Sequence, residues 1–289
     1  MPAPAVEEAW LQHRRLVLDV AYRMLGSLSD AEDIVAEAYT RLVEHGIEQL
    51  HDPRGWLVTV TGRLCLDRLR STAVKRRAYV GPWLPEPILS QPGLGDDPVD
   101  RVTLDDSVRM ALLVVLEQLS PAERTVDVLA DVFAPSFDEV AAVVGRTPAA
   151  CRQLAVRARA RLAEDATARF RPDPDDSRRV ADRFARACAT GDLDALVAVL
   201  HADVSGDFDS GGVIANAPLH RVTGDRAVAN VLHAAFAGSG ASFVVGGVNG
   251  EPGVIVTIAD FVVAAISLTV IDELVVTVRG IGNPATLNR

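Results

Sequence analysis

The chain has few cysteines and no long apolar run, and these absences exclude several classes of protein. The three cysteines, Cys65, Cys151 and Cys188, lie far apart in a chain of 289 residues. They form neither a metal-binding spacing nor an even disulfide set, so we expect a reducing compartment. The longest apolar run, 261–271, is too short to cross a bilayer, and the N-terminus lacks the order of a signal peptide. We therefore expect a cytoplasmic protein with no membrane partner, no metal and no other cofactor.

The distribution of charge is more informative than its sum. The net charge of −10 at pH 7 argues against indiscriminate binding to nucleic acid. Cations are nevertheless concentrated in two segments: 54–77 has seven cations and one acid, Asp67, and 146–162 has five arginines and no acid. Two cationic segments on an acidic chain favour selective contact with nucleic acid.

Residues 136–163 have the pattern of a helix-turn-helix. The segment 137–144 predicts a short first helix, and Gly145 permits a tight turn. Thr147 can cap the second helix, and Pro148 suits its first position, where no backbone donor is needed. At helical spacing the second helix has a small apolar back, formed by Cys151, Leu154, Ala155, Ala158 and Leu162.

The front of this second helix carries arginine and glutamine. These side chains make paired hydrogen bonds to base edges in a major groove. The alternative is a solvated basic helix on an ordinary bundle, but the turn signature and the lack of acids favour DNA. We predict that DNA is contacted by Arg146, Thr147, Arg152, Gln153 and Arg157.

Periodicity divides the rest of the chain. Apolar residues recur every three or four positions through 6–78 and through about 101–168, which predicts two helical units. Between them, 81–100 is rich in proline, glycine and acid, and we expect a semi-rigid connector without a regular element. A second segment that interrupts the helical periodicity lies at 171–176. The predicted domains are 1–80, 81–100 as a linker, 101–168, 169–177 as a linker, and 178–289.

Beyond residue 178 the pattern changes to that of an α+β domain. The predicted order is two helices (178–189 and 192–200), a strand (203–208), a helix (224–237) that Thr223 caps, and four β-branched runs (242–248, 253–258, 261–270 and 274–278). The turns include 249–252 and 272–273. We expect helices packed on a curved antiparallel sheet.

Several motifs occur together in the order of a known family. Residues 1–168 resemble a sigma-70 family transcription initiation factor of the extracytoplasmic-function type: 21–37 and 56–70 look like region 2, and Leu119–Arg124 with the helix-turn-helix looks like region 4. The connector 79–87, Tyr-Val-Gly-Pro-Trp-Leu-Pro-Glu-Pro, resembles that of the SigJ-like subgroup. The resemblance implies a multidomain fold, with two all-α sigma modules followed by a SnoaL-like, NTF2-type α+β cone.

The chain also departs from the family pattern. Many members have asparagine where Arg63 stands. The subgroup's Asp-Gly-Gly-Gly-Lys run is here Asp209-Ser210-Gly211-Gly212-Val213, which lacks the lysine. Its Asn-Pro-Asp-Lys-Leu run is here Asn-Pro-Ala-Thr-Leu at 283–287, without either charge. We expect weaker docking of the C-terminal domain than in relatives.

The resemblance implies a partner for each charged surface. Region 2 binds the largest subunit of core RNA polymerase through its acidic helix, and the implied residues are Asp30, Glu32, Asp33, Glu37 and Arg41. A solvated face is the alternative, with acids that suit the helix dipole and an Arg41–Glu37 pair. The helix-turn-helix residues are assigned to the upstream promoter element. The downstream element and strand separation are assigned to Trp56, Arg63, Arg68, Arg70, Lys75, Arg76 and Arg77.

Within the downstream group the roles differ. Trp56 is either a core tryptophan or a stacking partner for a flipped base. Lys75, Arg76 and Arg77 suit phosphates rather than bases, and Asp67 is expected to orient an arginine.

The C-terminal domain carries a weaker signal. A pocket base needs a carboxylate or histidine, and for each candidate the interpretation as a surface polar residue is favoured: Asp207, Asp209, His201, His220 and His233. No tyrosine or tryptophan follows residue 83, so the domain lacks an aromatic hydroxyl. We expect no catalysis and a domain that regulates the sigma modules in cis, with or without a small ligand. The alternatives are a ligand-sensing DNA-binding regulator that does not act through polymerase, and an NTF2-type enzyme fused to a DNA-binding module.

Overall fold

A computed structural model of the chain describes residues 4–77, 79, 81–90, 108–133, 136–164, 173–214 and 217–287, without the side chains of 73–77, 133 and 285. The chain forms two compact units. Unit 1 comprises 1–77, 97–108 and 112–165, and unit 2 comprises 78–96, 109–111 and 166–289. No helix of the described chain is both long and apolar enough to cross a membrane.

Unit 1 is helical throughout its described residues. Its helices are α1 (Pro4–Leu25), α2 (Leu28–His45), α3 (Pro53–Arg77), α4 (Met110–Glu117, whose first two residues cluster with unit 2), α5 (Pro121–Phe133), α6 (Phe137–Val144) and α7 (Pro148–Glu164). One apolar cluster joins α1, α2 and α3 through Val6, Trp10, Val17, Ala38, Leu42, Leu57 and Val60.

The helix-turn-helix has the predicted boundaries because its ends are fixed locally. Ser136 and Glu139 form a capping box at the start of α6, and Gly145 ends α6 in the left-handed conformation. The Thr147 hydroxyl accepts a hydrogen bond from the amide of Ala150 at 3.2 Å, so the predicted cap of α7 is confirmed. Cys151, Leu154, Ala155 and Ala158 are buried as predicted.

Unit 2 combines helices with one sheet. In chain order it contains β1 (Leu89–Ser90), α8 (Pro174–Thr190), α9 (Leu193–Val197), β2 (Leu200–Asp209), β3 (Val222–Thr223), α10 (Asp225–Phe236), β4 (Ser242–Val248), β5 (Glu251–Ile258), β6 (Phe261–Ile271), β7 (Leu274–Ile281) and α11 (Pro284–Leu287). The core lies between α8, α10 and one face of the sheet, around Phe184, Leu232, Val256, Ile266 and Val278.

The sheet differs from the sequence prediction in its pairing. Its order is β1-β4-β5-β6-β7-β2-β3, and the described pairs are antiparallel except that β2 runs parallel to β7. The predicted antiparallel sheet is therefore wrong at this pair, because periodicity identifies a strand but not its partner. Three local predictions are also wrong. Gly224 rather than Thr223 occupies the cap of α10, the turn after β4 is only Asn249-Gly250, and the connector contains β1.

Candidate nucleic-acid interface and connector clasp

The front of α7 is exposed as the sequence predicted. Arg146, Thr147, Arg152, Gln153 and Arg157 are all exposed, so the structure brings the upstream group together on one surface. The guanidinium of Arg152 lies 5.7 Å from the centre of the Phe137 ring. A cation over an aromatic face is held in place without losing its hydrogen-bond donors, so the donors of the exposed Arg152 stay accessible.

Arg157 is anchored at the start of α5. Glu123 accepts hydrogen bonds from the Ser120 amide (3.0 Å) and hydroxyl (2.6 Å), which completes a capping box. Arg157 and Arg161 lie 3.7 and 3.5 Å from the same carboxylate. Burial opposes the ionisation of Glu123, but the bonds from Ser120 and the two arginines outweigh it and lower its pKa. The carboxylate therefore stays charged and ties α5 to α7.

On α3, the residues assigned to the downstream element do not all extend into solvent. Trp56 is half-buried and stacks on His45 with ring centres 5.2 Å apart, as a core tryptophan does. Arg63 donates to the carbonyl of Ala142 in α6 at 3.2 Å. Arg68 donates to Asp30 at 3.0 Å and to Asp33 at 3.2 Å. Arg63 and Arg68 therefore have partners inside unit 1.

The remaining downstream residues lie toward the end of α3. Arg70 pairs with Asp67 at 3.6 Å, as expected for an acid that orients an arginine. Lys75, Arg76 and Arg77 lie in the last turns of α3, and their side chains are outside the described set.

The acidic face of α2 is assembled as predicted. Glu32, Asp33 and Glu37 are exposed, and Asp30 is half-buried. Arg41 pairs with Glu37 at 2.9 Å, which is the local pairing weighed from the sequence. Since Arg68 bridges Asp30 and Asp33, the acidic face and the basic helix α3 are joined by one arginine.

Arg124 is a residue whose role the sequence did not reveal. It is 2% exposed and lies in α5. Its guanidinium donates to the carbonyl of Arg23 at 3.1 and 2.9 Å and lies 2.7 Å from Glu117. Arg23 in turn reaches Asp131 at 2.5 Å. A buried arginine that makes two hydrogen bonds to Arg23 and an ion pair with Glu117 fixes the end of α1 against α5 inside unit 1.

A group of hydrogen bonds, which we call the connector clasp, holds the start of the connector in unit 2. The Tyr79 hydroxyl donates to the Asp209 carboxylate and accepts from the Asn283 amide at 3.2 Å. The amides of Leu84 (3.1 Å) and Gly211 (3.0 Å) also donate to Asp209, which is 2% exposed. Burial, followed by the bond to Asp209, raises the pKa of Tyr79, so its hydroxyl stays a donor.

The far end of the connector is held at the other edge of the sheet. The Ile88 amide donates to the Asn249 side chain at 3.2 Å, the Asn249 amide donates to the Ile88 carbonyl at 2.8 Å, and β1 pairs with β4. Four strand spacings separate β2 from β4, about 19 Å, and the five residues from Leu84 to Leu89 extend about 17 Å. The segment 84–88 therefore crosses the sheet in an extended form, and it is buried throughout.

Comparison with known proteins identifies both helical modules. The sigma-70 region 2 model matches 9–74, and the sigma-70 region 4 model matches 109–162. The probable ECF RNA polymerase sigma factor SigI of Mycobacterium tuberculosis is 42% identical over 211 residues, which cover 71% of this chain and 70% of SigI. The chain belongs to the ECF family of RNA polymerase sigma factors.

The similarity of this sigma factor to SigJ extends beyond the two modules. The ECF RNA polymerase sigma factor SigJ of M. tuberculosis is 47% identical over 207 residues, covering 71% of this chain and 64% of SigJ. A crystal structure of the M. tuberculosis extracytoplasmic function sigma factor SigJ aligns with 96% of each chain at a TM-score of 0.74 and 34% identity. The predicted fold, two sigma modules followed by a SnoaL-like α+β domain, is confirmed.

The candidate pocket bases of this sigma factor are mostly occupied by partners. Asp207 accepts two bonds from Arg221, at 3.0 and 2.7 Å, and His201 accepts from the amide of Asp203. An aromatic hydroxyl does donate a hydrogen bond to the carboxylate of Asp209. It belongs to Tyr79 of the connector, which lies outside the C-terminal domain in the sequence. Because Asp209 is buried and accepts three hydrogen bonds, it is suited to holding the connector rather than to abstracting a proton.

Proposed function

We propose that this sigma factor is a promoter-specificity subunit whose C-terminal domain regulates it in cis by holding the connector. The acidic face of α2 binds core RNA polymerase, α7 reads the upstream element, and α3 contacts the downstream element and assists DNA opening. The protein performs no covalent chemistry, and it acts in the cytoplasm on the polymerase and the chromosome.

The connector clasp is the observation that supports regulation in cis. The connector is the covalent path between α3 and α4, and it is bound in unit 2 at Tyr79, at Leu84 and from Ile88 to Ser90. Twelve extended residues span about 40 Å. Whether they are bound or free therefore determines how far the region 2 and region 4 modules can separate along a promoter.

Two arginines of α3 support regulation of a second step, the contact of α3 with DNA. Arg63 is bonded to Ala142, and Arg68 is bonded to Asp30 and Asp33. Both arginines must exchange these partners for phosphates before α3 contacts DNA. Binding of the acidic face by polymerase would compete for Asp30 and Asp33 and release Arg68, which links polymerase binding to DNA binding.

The test is transcription in vitro with core polymerase, comparing the full chain with a chain that ends at Ala168. We expect a changed transcript yield with polymerase co-purification retained, since the predicted polymerase and DNA surfaces all precede residue 168. Asp209→Ala in the full chain should change the yield in the same direction, and Asp203→Ala, at an exposed position of β2, serves as its control. Equal yields from the full chain, the shortened chain and Asp209→Ala at several salt concentrations would contradict regulation in cis.

A further inference from the structure

We propose that unit 2 binds a neutral, largely apolar small molecule in a cavity beside the connector clasp, and that this ligand controls the clasp. The inference deepens the proposed function, because the connector is the element that the ligand would release or retain. It rests on the shape and chemistry of the cavity and on the chain segments that the cavity shares with the clasp.

The cavity lies between α10 and the sheet. Its volume is about 430 Å³, within the range of about 300–1,000 Å³ that small-molecule pockets occupy. Most of its wall is apolar, including Phe208, Ile214, Leu232, Phe236, Val263 and Ile266. Gly280 leaves room for the Phe208 ring, because a Cβ there would come within 2.8 Å of it.

The polar groups of the wall limit the class of ligand. No described residue lining the cavity is a lysine, arginine or histidine, and the acid among them is Asp209, whose carboxylate already accepts three hydrogen bonds in the clasp. An anion would face a carboxylate without a compensating cation, which is costly in an apolar cavity. Ser210 and Asn230 remain to hydrogen-bond a hydroxyl, carbonyl or amine. The wall therefore suits a neutral molecule with one or two such groups.

The cavity and the clasp are formed by the same ends of β2 and β7. Phe208 lines the cavity, while the next residue, Asp209, binds Tyr79 and Leu84. The Asp209 carbonyl accepts a 2.7 Å bond from the amide of Gly282, another wall residue, and Asn283 then reaches Tyr79. A ligand that displaces the wall at Phe208 or Gly282 must therefore move the groups that hold Tyr79.

The experiment is a fluorescence titration of the full chain with two probes of one scaffold. N-phenyl-1-naphthylamine is neutral, and 8-anilino-1-naphthalenesulfonate adds one anionic group to it. We expect saturable binding of one neutral probe per chain and binding of the anionic probe that is weaker by about tenfold or more. Absence of saturable binding of the neutral probe, or equal binding of the two probes, overturns the proposal.

Variants locate the binding site. Ala235 lines the cavity but is exposed to solvent, so Ala235→Phe should narrow the cavity and fold normally, and Ala264→Leu narrows it from β6. Each should weaken the neutral probe about tenfold. Ala202→Phe, exposed on β2 away from the wall, should leave binding unchanged. Full binding to Ala235→Phe places the probe elsewhere and overturns the site.

The effect of the ligand on the clasp is measured by hydrogen exchange at the Leu84 amide. Saturation with the neutral probe should change the exchange rate about threefold or more. Bound probe with unchanged exchange at Leu84 refutes the coupling. Transcription by Asp209→Ala, measured without probe, tests the proposed function separately. A changed yield there together with no probe binding would leave regulation by the connector standing and remove only the ligand.

Discussion

Tyr79→Phe should loosen the connector clasp without unfolding the C-terminal domain. The change removes one of three donors to the buried Asp209 carboxylate and leaves the amides of Leu84 and Gly211 in place. It also removes an acceptor from Asn283. Phenylalanine keeps the aromatic edge-to-face contact with Trp83, whose ring centre lies 4.9 Å away.

The expected magnitude follows from the charge on the acceptor. A hydrogen bond to a charged group contributes about 1.5–3 kcal/mol. Tyr79 is half-buried, so water can partly replace its hydroxyl, and the lower part of that range applies. About 1.5–2 kcal/mol corresponds to a roughly 10- to 30-fold larger fraction of open clasp, since 1.4 kcal/mol is a factor of ten.

Native-state hydrogen exchange with residue-level resolution measures this fraction. Only three amides occur in 84–88, because Pro85 and Pro87 have none, and those of Leu84 and Ile88 have known partners. Both should exchange about 10- to 30-fold faster in Tyr79→Phe at neutral pH. Tyr39→Phe is the matched control, since it removes an exposed hydrogen bond to Glu7 in unit 1.

Two results would refute this reasoning. Unchanged exchange at Leu84 would mean that the hydroxyl of Tyr79 contributes nothing to holding the connector. Equal acceleration at Leu84 and at core amides such as that of Leu268 in β6 would mean that the whole domain has been destabilised instead.

Four further changes test the sigma surfaces. Arg152→Ala should weaken binding to the upstream element by about 1–3 kcal/mol and relax its sequence preference. Lys75→Ala should instead weaken binding to all DNA sequences equally and reduce the slope of log affinity against log salt concentration by about one unit. Titrations with cognate and scrambled DNA distinguish the two effects. Asp33→Arg places a cation beside Arg68 and should abolish co-purification with core polymerase while circular dichroism stays normal, so normal co-purification counts against this face. Glu123→Gln keeps the capping box but removes the charge that pairs with Arg157 and Arg161, so it should lower the stability of unit 1 by about 0.2–1 kcal/mol above pH 5. The pKa of Glu123 is lowered in the folded state. Its ionised carboxylate therefore stabilises the fold above the unfolded-state pKa, and this stabilisation is lost as the pH falls through the folded-state pKa. Denaturation curves of the variant and the parent should therefore converge in acid.

The sequence was most informative about features that depend on a few neighbouring residues, such as the ends of helices. Ser136, Gly145 and Thr147 set the ends of α6 and α7 through caps and a left-handed turn, and these signals act without tertiary contacts. The same is true of the outward face of α7, because the positions of its arginines follow from helical spacing alone.

The long-range features were not predictable from the same information. The parallel pairing of β2 with β7 joins strands that α10 and four other strands separate along the chain. Arg124 lies in a motif visible in the sequence, but spacing does not show that its guanidinium is buried against Arg23. Tyr79 and Asp209 are 130 positions apart, and periodicity, which is a local property, carries no information about such a contact.

The prolines of the connector explain how an irregular segment lies buried on a sheet. A buried backbone amide needs a partner, and the crossing segment 84–88 has few amides to satisfy. Pro85 and Pro87 have none, the amides of Leu84 and Ile88 bond to Asp209 and Asn249, and Glu86 is the remaining amide of the segment.

Proline also favours the extended conformation before binding, so little chain entropy is lost when the segment docks and little is regained when it leaves. Docking then depends on the burial of Leu84 and Ile88 and on the hydrogen bonds at the two ends. A connector held in this way can be released by changing one end, which is the property that regulation through the connector requires.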